Sequence, residues 1–382
     1  MANLYYLQPL LDQVTKAFAV GTAAAGFLVT LLQIGYGFGL AFLVPLGDLI
    51  PRRRLVVAVF FASAVAMAAG GLVHSYLVFA ILAVVIGMTS IAGQILIPFS
   101  ADTAAPNRRA RTVAILMSGM LSGILFSRSV SGVVAQLAGW RSVYFGAAVL
   151  LGIEGIALAI LLPNEQARPR RKLSDTLLGS IRLVRTHAQL RRRGLSGGLA
   201  MATFSALWTT IAFHLSAAPF NLSKASIGAL GLLGIAGIAA ANGAGRLSDR
   251  QHQWASSLTA AIFMLFGYVL LLLSGSSLLI VALGMFILDA GIWANQVTNQ
   301  SIIFELAPQE RSQTTSAYMV MYFGGGAVGS GLAGWIYEMH GWMGASWFGV
   351  SLGIASVIVA LVLPPRLPSE VLHVDGSHYA SN

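Results

Sequence analysis

No cysteine occurs in the 382 residues, so neither a disulfide framework nor a thiolate metal site can be built. Charge is scarce too: charged side chains make up 9% of the chain, against about 25% in an ordinary soluble domain. With 57% of residues hydrophobic, too little polar surface is left to cover a water-soluble globule, which excludes a soluble enzyme. Lysine occurs only as Lys16, Lys172 and Lys224, none of them in a G-x-x-x-x-G-K-[ST] frame, so an ATP-driven pump is excluded. The seven histidines are scattered and no H-E-x-x-H occurs, which argues against an intramembrane metalloenzyme. No metal and no cofactor is expected.

What the chain has instead is apolar runs long enough to cross a bilayer as helices. Bounded by charge, Gly or Pro, they fall near 23–46, 55–73, 77–100, 113–138 and 142–162. A second set lies near 196–218, 225–245, 255–274, 278–303, 313–337 and 343–363. No alternation of period two runs through them, so the expected fold is an all-α polytopic membrane protein rather than a barrel. Ala2 to Leu11 is about half a crossing and lacks the basic flank of a signal peptide.

The net charge of +10 would suggest nucleic acid in a soluble protein, but its placement points to topology. If the spans alternate, nineteen Lys and Arg fall on one side and only Lys16, Arg141 and Lys224 on the other. The crowded side is then cytoplasmic, in a bacterial inner membrane, with the C-terminus there as well. Trp140 and Trp342 are expected at the opposite interface, where indoles are common. Membrane lipids are the expected surroundings, and nucleic acid is not an expected partner.

The chain also repeats itself. Phe18 and Phe220, Gly26 and Gly228, Pro106 and Pro308, Arg109 and Arg311, Gly132 and Gly334, and Trp140 and Trp342 are each separated by 202 residues. Asp48 and Asp249 differ by 201. A shift of an even number of spans makes the halves parallel repeats about an axis along the membrane normal, the arrangement that encloses a site near the midplane and rocks about it. The expected units are an N-terminal bundle over 1–163, a basic linker over 164–195, a C-terminal bundle over 196–363 and a tail over 364–382. Twelve helices are expected, the first about ten residues short. In the linker, Leu173, Leu177, Ile181 and Val184 recur at helical spacing, which fits either an amphipathic helix on the membrane surface or a solvated connector.

Three ionisable residues lie deep in spans: Arg128, Glu154 and Asp289. At 1.5 Å per residue each sits about 15–18 Å in, near the midplane. Each costs about 2.5–3.5 kcal/mol to insert at a helix centre, so each should face a partner or a cavity. Consecutive helices make Arg128 and Glu154 the candidate pair. Burial favours a neutral carboxyl and a nearby arginine a charged one. Asp289, with no basic residue in its own span, is therefore the expected proton carrier. Around it Trp293, Gln296 and Gln300 share one helix face, with Asn295 and Asn299 on the next. Tyr5, Tyr6, Gln8, Gln33, Tyr36, Gln94, Trp208 and His214 are further candidates to line a cavity. Amides and aromatics suit a ligand with hydroxyls or heterocycles, and interhelical hydrogen bonding is the alternative use for them. His214, near a span end, reads as interfacial.

At the arginine-rich end, Asp48 with Arg52 and Arg53, and Asp249 with Arg250, sit in equivalent loops; Arg109 and Arg311 form a second equivalent pair. A carboxylate there can pair with loop arginines or cap a helix, and contacts made in only one state would bias the equilibrium. The segments NLYYLQPLL (3–11), VPLGDLIPRRR (44–54), SVSGVVAQLAGW (129–140) and NQSIIFELAPQERSQTTSAYMVMYFGGGAVGS (299–330) resemble the sugar, nucleoside and drug efflux permeases of the proton-antiporter branch of the major facilitator superfamily. The resemblance covers essentially the whole chain. It implies a monomeric secondary transporter that exports a small polar or amphipathic compound in exchange for protons, with Asp48, Arg52, Arg53, Asp249, Arg250, Arg109 and Arg311 in gating. Val44, Leu49 and Pro51 depart from the family's loop motif, and the fifth span carries Arg128 where the branch has a Gly-Pro signature. An uptake symporter, a uniporter and a non-transporting receptor are the alternatives.

Overall fold

A computed structural model describes residues 2–47, 49–105, 108–163, 182–234, 253–306 and 311–362. Among them every regular element is a helix and no strand occurs. Two 3-10 turns, Ala2–Leu4 and Gln8–Leu10, run into α1, Leu11–Phe18. There follow α2 (Thr22–Leu46), α3 (Arg52–Leu72), α4 (Tyr76–Thr103) and α5 (Arg109–Ala138). Next come α6 (Trp140–Leu161), α7 (Ala188–Ser216), α8 (Lys224–Leu233), α9 (Gln253–Leu272) and α10 (Leu278–Leu306). Arg311–Val362 is two helices, α11 and α12, that meet at Gly341. Nine helical segments among the described residues are long and apolar enough to cross a bilayer, the last being this α11–α12 pair. Leu137, Leu161 and Leu279 stand out on their surfaces, as lipid-facing residues should.

Among the described residues helix ends follow the expected spans with one informative difference; residues 235–245 of the span expected at 225–245 lie outside them. The basic cluster before residue 196 suggests loop, yet α7 begins at Ala188 and carries Arg193 inside it. Arg193 is buried, donating from Nη1 to Ser257 Oγ at 2.8 Å and Asn299 Oδ1 at 3.4 Å. Charge marks a loop only when no polar side chain waits for it inside. Within α2 the helix widens to a π turn over Gly39–Leu43 just before Pro45, which has no N–H to continue the ladder.

The repeat becomes a set of paired contacts between the halves. α2 packs on α11, and α5 packs on α8. At the first crossing, a Cβ on Gly26 would stand 3.1 Å from Gly334 Cα; at the second, one on Gly132 would stand 3.3 Å from Gly228 Cα. A shift of 202 residues turns one crossing into the other. The capping contacts obey the same rule: Ala23 N donates to Glu338 Oε2 at 2.6 Å, and Ala225 N donates to Gln136 Oε1 at 3.2 Å. Gly139 and Gly341, also 202 apart, join α5 to α6 and α11 to α12 at φ of 83° and 61°, a conformation that favours glycine. Small residues let the backbones meet where lipid supplies no hydrophobic drive.

Among the described residues, the side-chain hydrogen bonds that cross between the halves begin at the arginine-poor end. They continue inward through Thr30 with Ser330 at 2.8 Å to Gln33 Nε2 donating to Ser205 Oγ at 2.9 Å. That last contact lies about 16 Å along α2. Trp140 is not at an exposed interface: it is buried among Phe18, Phe79 and Tyr144, with ring centroids 5.4 to 5.8 Å apart. With Tyr76, whose ring lies 6.3 Å from that of Phe18, five aromatic residues converge at that end of the first half, which gives an indole more contact than headgroups would. Trp342 is half-buried and stacks on His214 at 4.0 Å, so His214 sits at the end of α7 as its position suggests.

Candidate functional site

Arg128 and Asp289 come from opposite halves, on α5 and α10, and line one small cavity of about 20 Å3 with Phe204, Gly231, Gly234 and Trp293. Both are 3% exposed. The expected pairing of Arg128 with Glu154 does not form: no ion pair joins them among the described residues. Arg128 turns into the interface between halves instead, because what receives it there is more complete than one carboxylate. Its Nε donates to Gln8 Oε1 at 2.7 Å, and its Cζ lies 4.0 Å from the Trp208 ring centre, 4.8 Å from Tyr5 and 5.0 Å from Phe204. Such cation–π contacts contribute about 2 kcal/mol each when desolvated. Nη2 is buried and keeps no hydrogen-bond partner.

Asp289 forms no hydrogen bond or ion pair among the described residues, and its Oδ1 is buried without a partner. It stands within electrostatic reach of Arg128 without touching it. The space between them is kept by two glycines three residues apart, Gly231 on α8 and Gly234 just past its end. A Cβ on Gly231 would lie 3.1 Å from Arg128 Cβ, and one on Gly234 would lie 3.4 Å from Asp289 Oδ2. Phe204, Gly231 and Gly234 carry no polar signal in the sequence; the three-residue spacing of the two glycines hints at that pair and nothing marks Phe204.

The polar stripe on α10 divides. Asp289 and the half-buried Trp293 face the cavity. Gln296 accepts from Tyr318 OH at 2.7 Å. Asn295 and Asn299 turn into the second half, donating to Ser196 Oγ at 3.0 and 3.4 Å, beside Arg193. Gln33 bonds across the halves and keeps a buried, unpartnered Oε1 against Gly326. Tyr36 receives a hydrogen bond from Gln94 at 3.3 Å and packs its ring 4.3 Å from that of Phe323 on α11. Trp208 is buried with an unpartnered Nε1.

Tyr6 and Glu154 line a separate cavity of about 530 Å3, with Asn3, Ser63, Ser90 and Gly123. All its lining residues come from the first half. The small cavity between Arg128 and Asp289 is instead lined by residues of both halves. At the arginine-rich end, Arg52 Nη1 pairs with Asp102 Oδ2 at 2.9 Å, and Arg53 donates to the carbonyl of Ala159. These contacts tie α3 to α4 and α6 inside one half. Asp48, Asp249 and Arg250, like 164–181 of the linker and the tail from 363, lie outside the described residues, as do the side chains of Arg109 and Arg311.

The model of the Major Facilitator Superfamily matches residues 1–330. The chain is 37% identical over 360 residues to the uncharacterized transporter YgaY of Escherichia coli, covering 94% of this chain and 91% of that one. It is 32% identical to a probable transporter of Streptomyces coelicolor, covering 90% and 80%. Among solved structures it resembles the nucleoside transporter NupG, with a TM-score of 0.73 at 12% identity over 95% of this chain and 98% of that one. A bacterial homologue of the lysosomal transporter Spinster, in an inward-facing and occupied conformation, gives 0.71 at 12% identity over 95% and 91%. The chain belongs to the major facilitator superfamily.

Proposed function

We propose that the protein is a proton-coupled secondary transporter of a small polar or amphipathic compound, working by alternating access in a bacterial inner membrane with its arginine-rich end in the cytoplasm. Asp289 carries the proton. The supporting observation is its setting: a buried carboxyl without a hydrogen bond, at a cavity whose walls come from both halves. Such a group can change protonation without breaking a structural contact, and separating the halves changes which side it faces. Tyr36, Gln94, Trp208, Trp293 and Gln296 surround that level and supply the polar and aromatic contacts that would orient a substrate.

Resemblance of 299–330 to efflux permeases supports export by exchange. Cotransport is a second reading, supported by Arg128 in the cavity of Asp289. The test of proton coupling uses inside-out vesicles with an imposed proton gradient reported by a pH-sensitive dye. Sugars, nucleosides, organic anions and lipophilic cations are added in turn. One compound class should change the gradient with the native chain and leave it unchanged with Asp289→Asn. Full pH-dependent transport by Asp289→Asn would remove Asp289 from the role.

A further inference from the structure

We infer that the Arg128–Asp289 cavity selects a monoanion of the carboxylate class with an apolar or aromatic body, and that this anion binds together with a proton rather than in exchange for one. The inference rests on Asp289 being the proton carrier.

A guanidinium stays charged under any condition the protein meets. With Asp289 ionised the cavity carries no net charge; with Asp289 protonated it carries one positive charge. It never becomes negative, and a negative site is what a cationic substrate displaced by protons would need. The positive state is unstable as it stands, because a buried arginine stripped of its counter-charge is costly at this depth. An anion removes that cost. Reciprocity follows: whatever factor a proton adds to anion affinity, the anion adds to proton affinity.

The residues around the pair fit the same ligand. Gln8 fixes one edge of the guanidinium through Nε and leaves Nη2 without a partner. A carboxylate matches the free edge of a guanidinium in plane. Tyr5, Phe204 and Trp208 enclose the group in rings, which suits an apolar body beside the charge. Gly231 and Gly234 leave room beside Arg128 and Asp289 that any larger side chain would fill. In this conformation the cavity has room for about one water molecule, so entry belongs to the state in which α5 and α8 move apart. The other titratable groups in reach are the phenols of Tyr5 and Tyr322, which change charge only in the alkaline range. Glu154 belongs to the separate first-half cavity.

The test uses the purified full chain in detergent, in weakly buffered solution with a pH indicator. Acetate, hexanoate and benzoate are titrated in, and then the amides and the primary amines of the same skeletons. Binding is followed calorimetrically. At least one carboxylate should bind with uptake of protons, more tightly as the pH falls, and its amide and amine should not. Asp289→Asn should keep the binding while losing both the proton uptake and the pH dependence. Arg128→Lys should bind the carboxylate roughly tenfold more weakly or worse, since a charged hydrogen bond is lost. Thermal unfolding shows that each variant is folded. Binding of an amine with proton release would overturn the anion assignment while leaving Asp289 as the proton carrier. Carboxylate binding to the native chain with no proton uptake and no pH dependence would uphold the ligand class and overturn its coupling to a proton on Asp289. Failure of every carboxylate to bind the folded native chain would overturn the ligand class.

Discussion

Arg128 and Asp289 show what a buried charge requires in a membrane: not always a direct partner, but a prepared surrounding. For Arg128 that surrounding is Gln8 and three rings. Gln8→Leu removes the acceptor of a charged donor and should cost about 1.5–3 kcal/mol, read from unfolding of the detergent-solubilised protein. Glu338 makes a contrasting case. It accepts from Ala23 N, but at the equivalent place in the other half Gln136 does the same with a neutral amide. Its charge is therefore dispensable: Glu338→Gln should behave as native in transport and stability, whereas Glu338→Ala should loosen the arginine-poor end. If Glu338→Gln and Glu338→Ala are equally impaired, the contact depends on charge and the symmetry argument fails at this position.

Among the elements, the crossings α2–α11 and α5–α8 decide how the halves meet. A Cβ at Gly26 would come within 2.9 Å of Thr209 Cγ2, and one at Gly132 within 2.5 Å of the Lys224 carbonyl. Gly26→Leu and Gly132→Leu should therefore open the same end, although they alter different interfaces. Because the chain has no cysteine, labels can be placed cleanly by Leu137→Cys with Lys224→Cys. The label distance across α5 and α8 should lengthen in both variants. A change confined to Gly132→Leu would show that the halves do not move as rigid bodies.

Across the molecule, the sequence discloses what depends on length, charge placement and repetition. Helix order, the 202-residue shift and the glycines of both crossings can be read from it because lipid forbids most alternatives to an apolar helix. Partner choice could not be read the same way. Arg128 and Glu154 share a depth and adjacent helices, but rotation about each helix axis sends one toward the other half and the other into a cavity of its own. Arg193 looked like linker because its acceptors, Ser257 and Asn299, lie 64 and 106 residues away in sequence. Trp140 looked interfacial because two of the three rings packed on it, Phe18 and Phe79, come from other helices, α1 and α4. Contacts of that range follow from packing, which periodicity does not encode.

The central claim is that the Arg128–Asp289 cavity faces each side in turn and that Asp289 links this to protons. It is tested most directly with Leu121→Cys, placed on the cavity wall, in sealed vesicles of known orientation treated with a membrane-impermeant thiol reagent. Labelling should come from the arginine-rich side, pass to the other side when Gly26→Leu is added, and change rate with pH only while Asp289 is present. Labelling from one side in every variant, or a pH response that survives Asp289→Asn, would contradict the account.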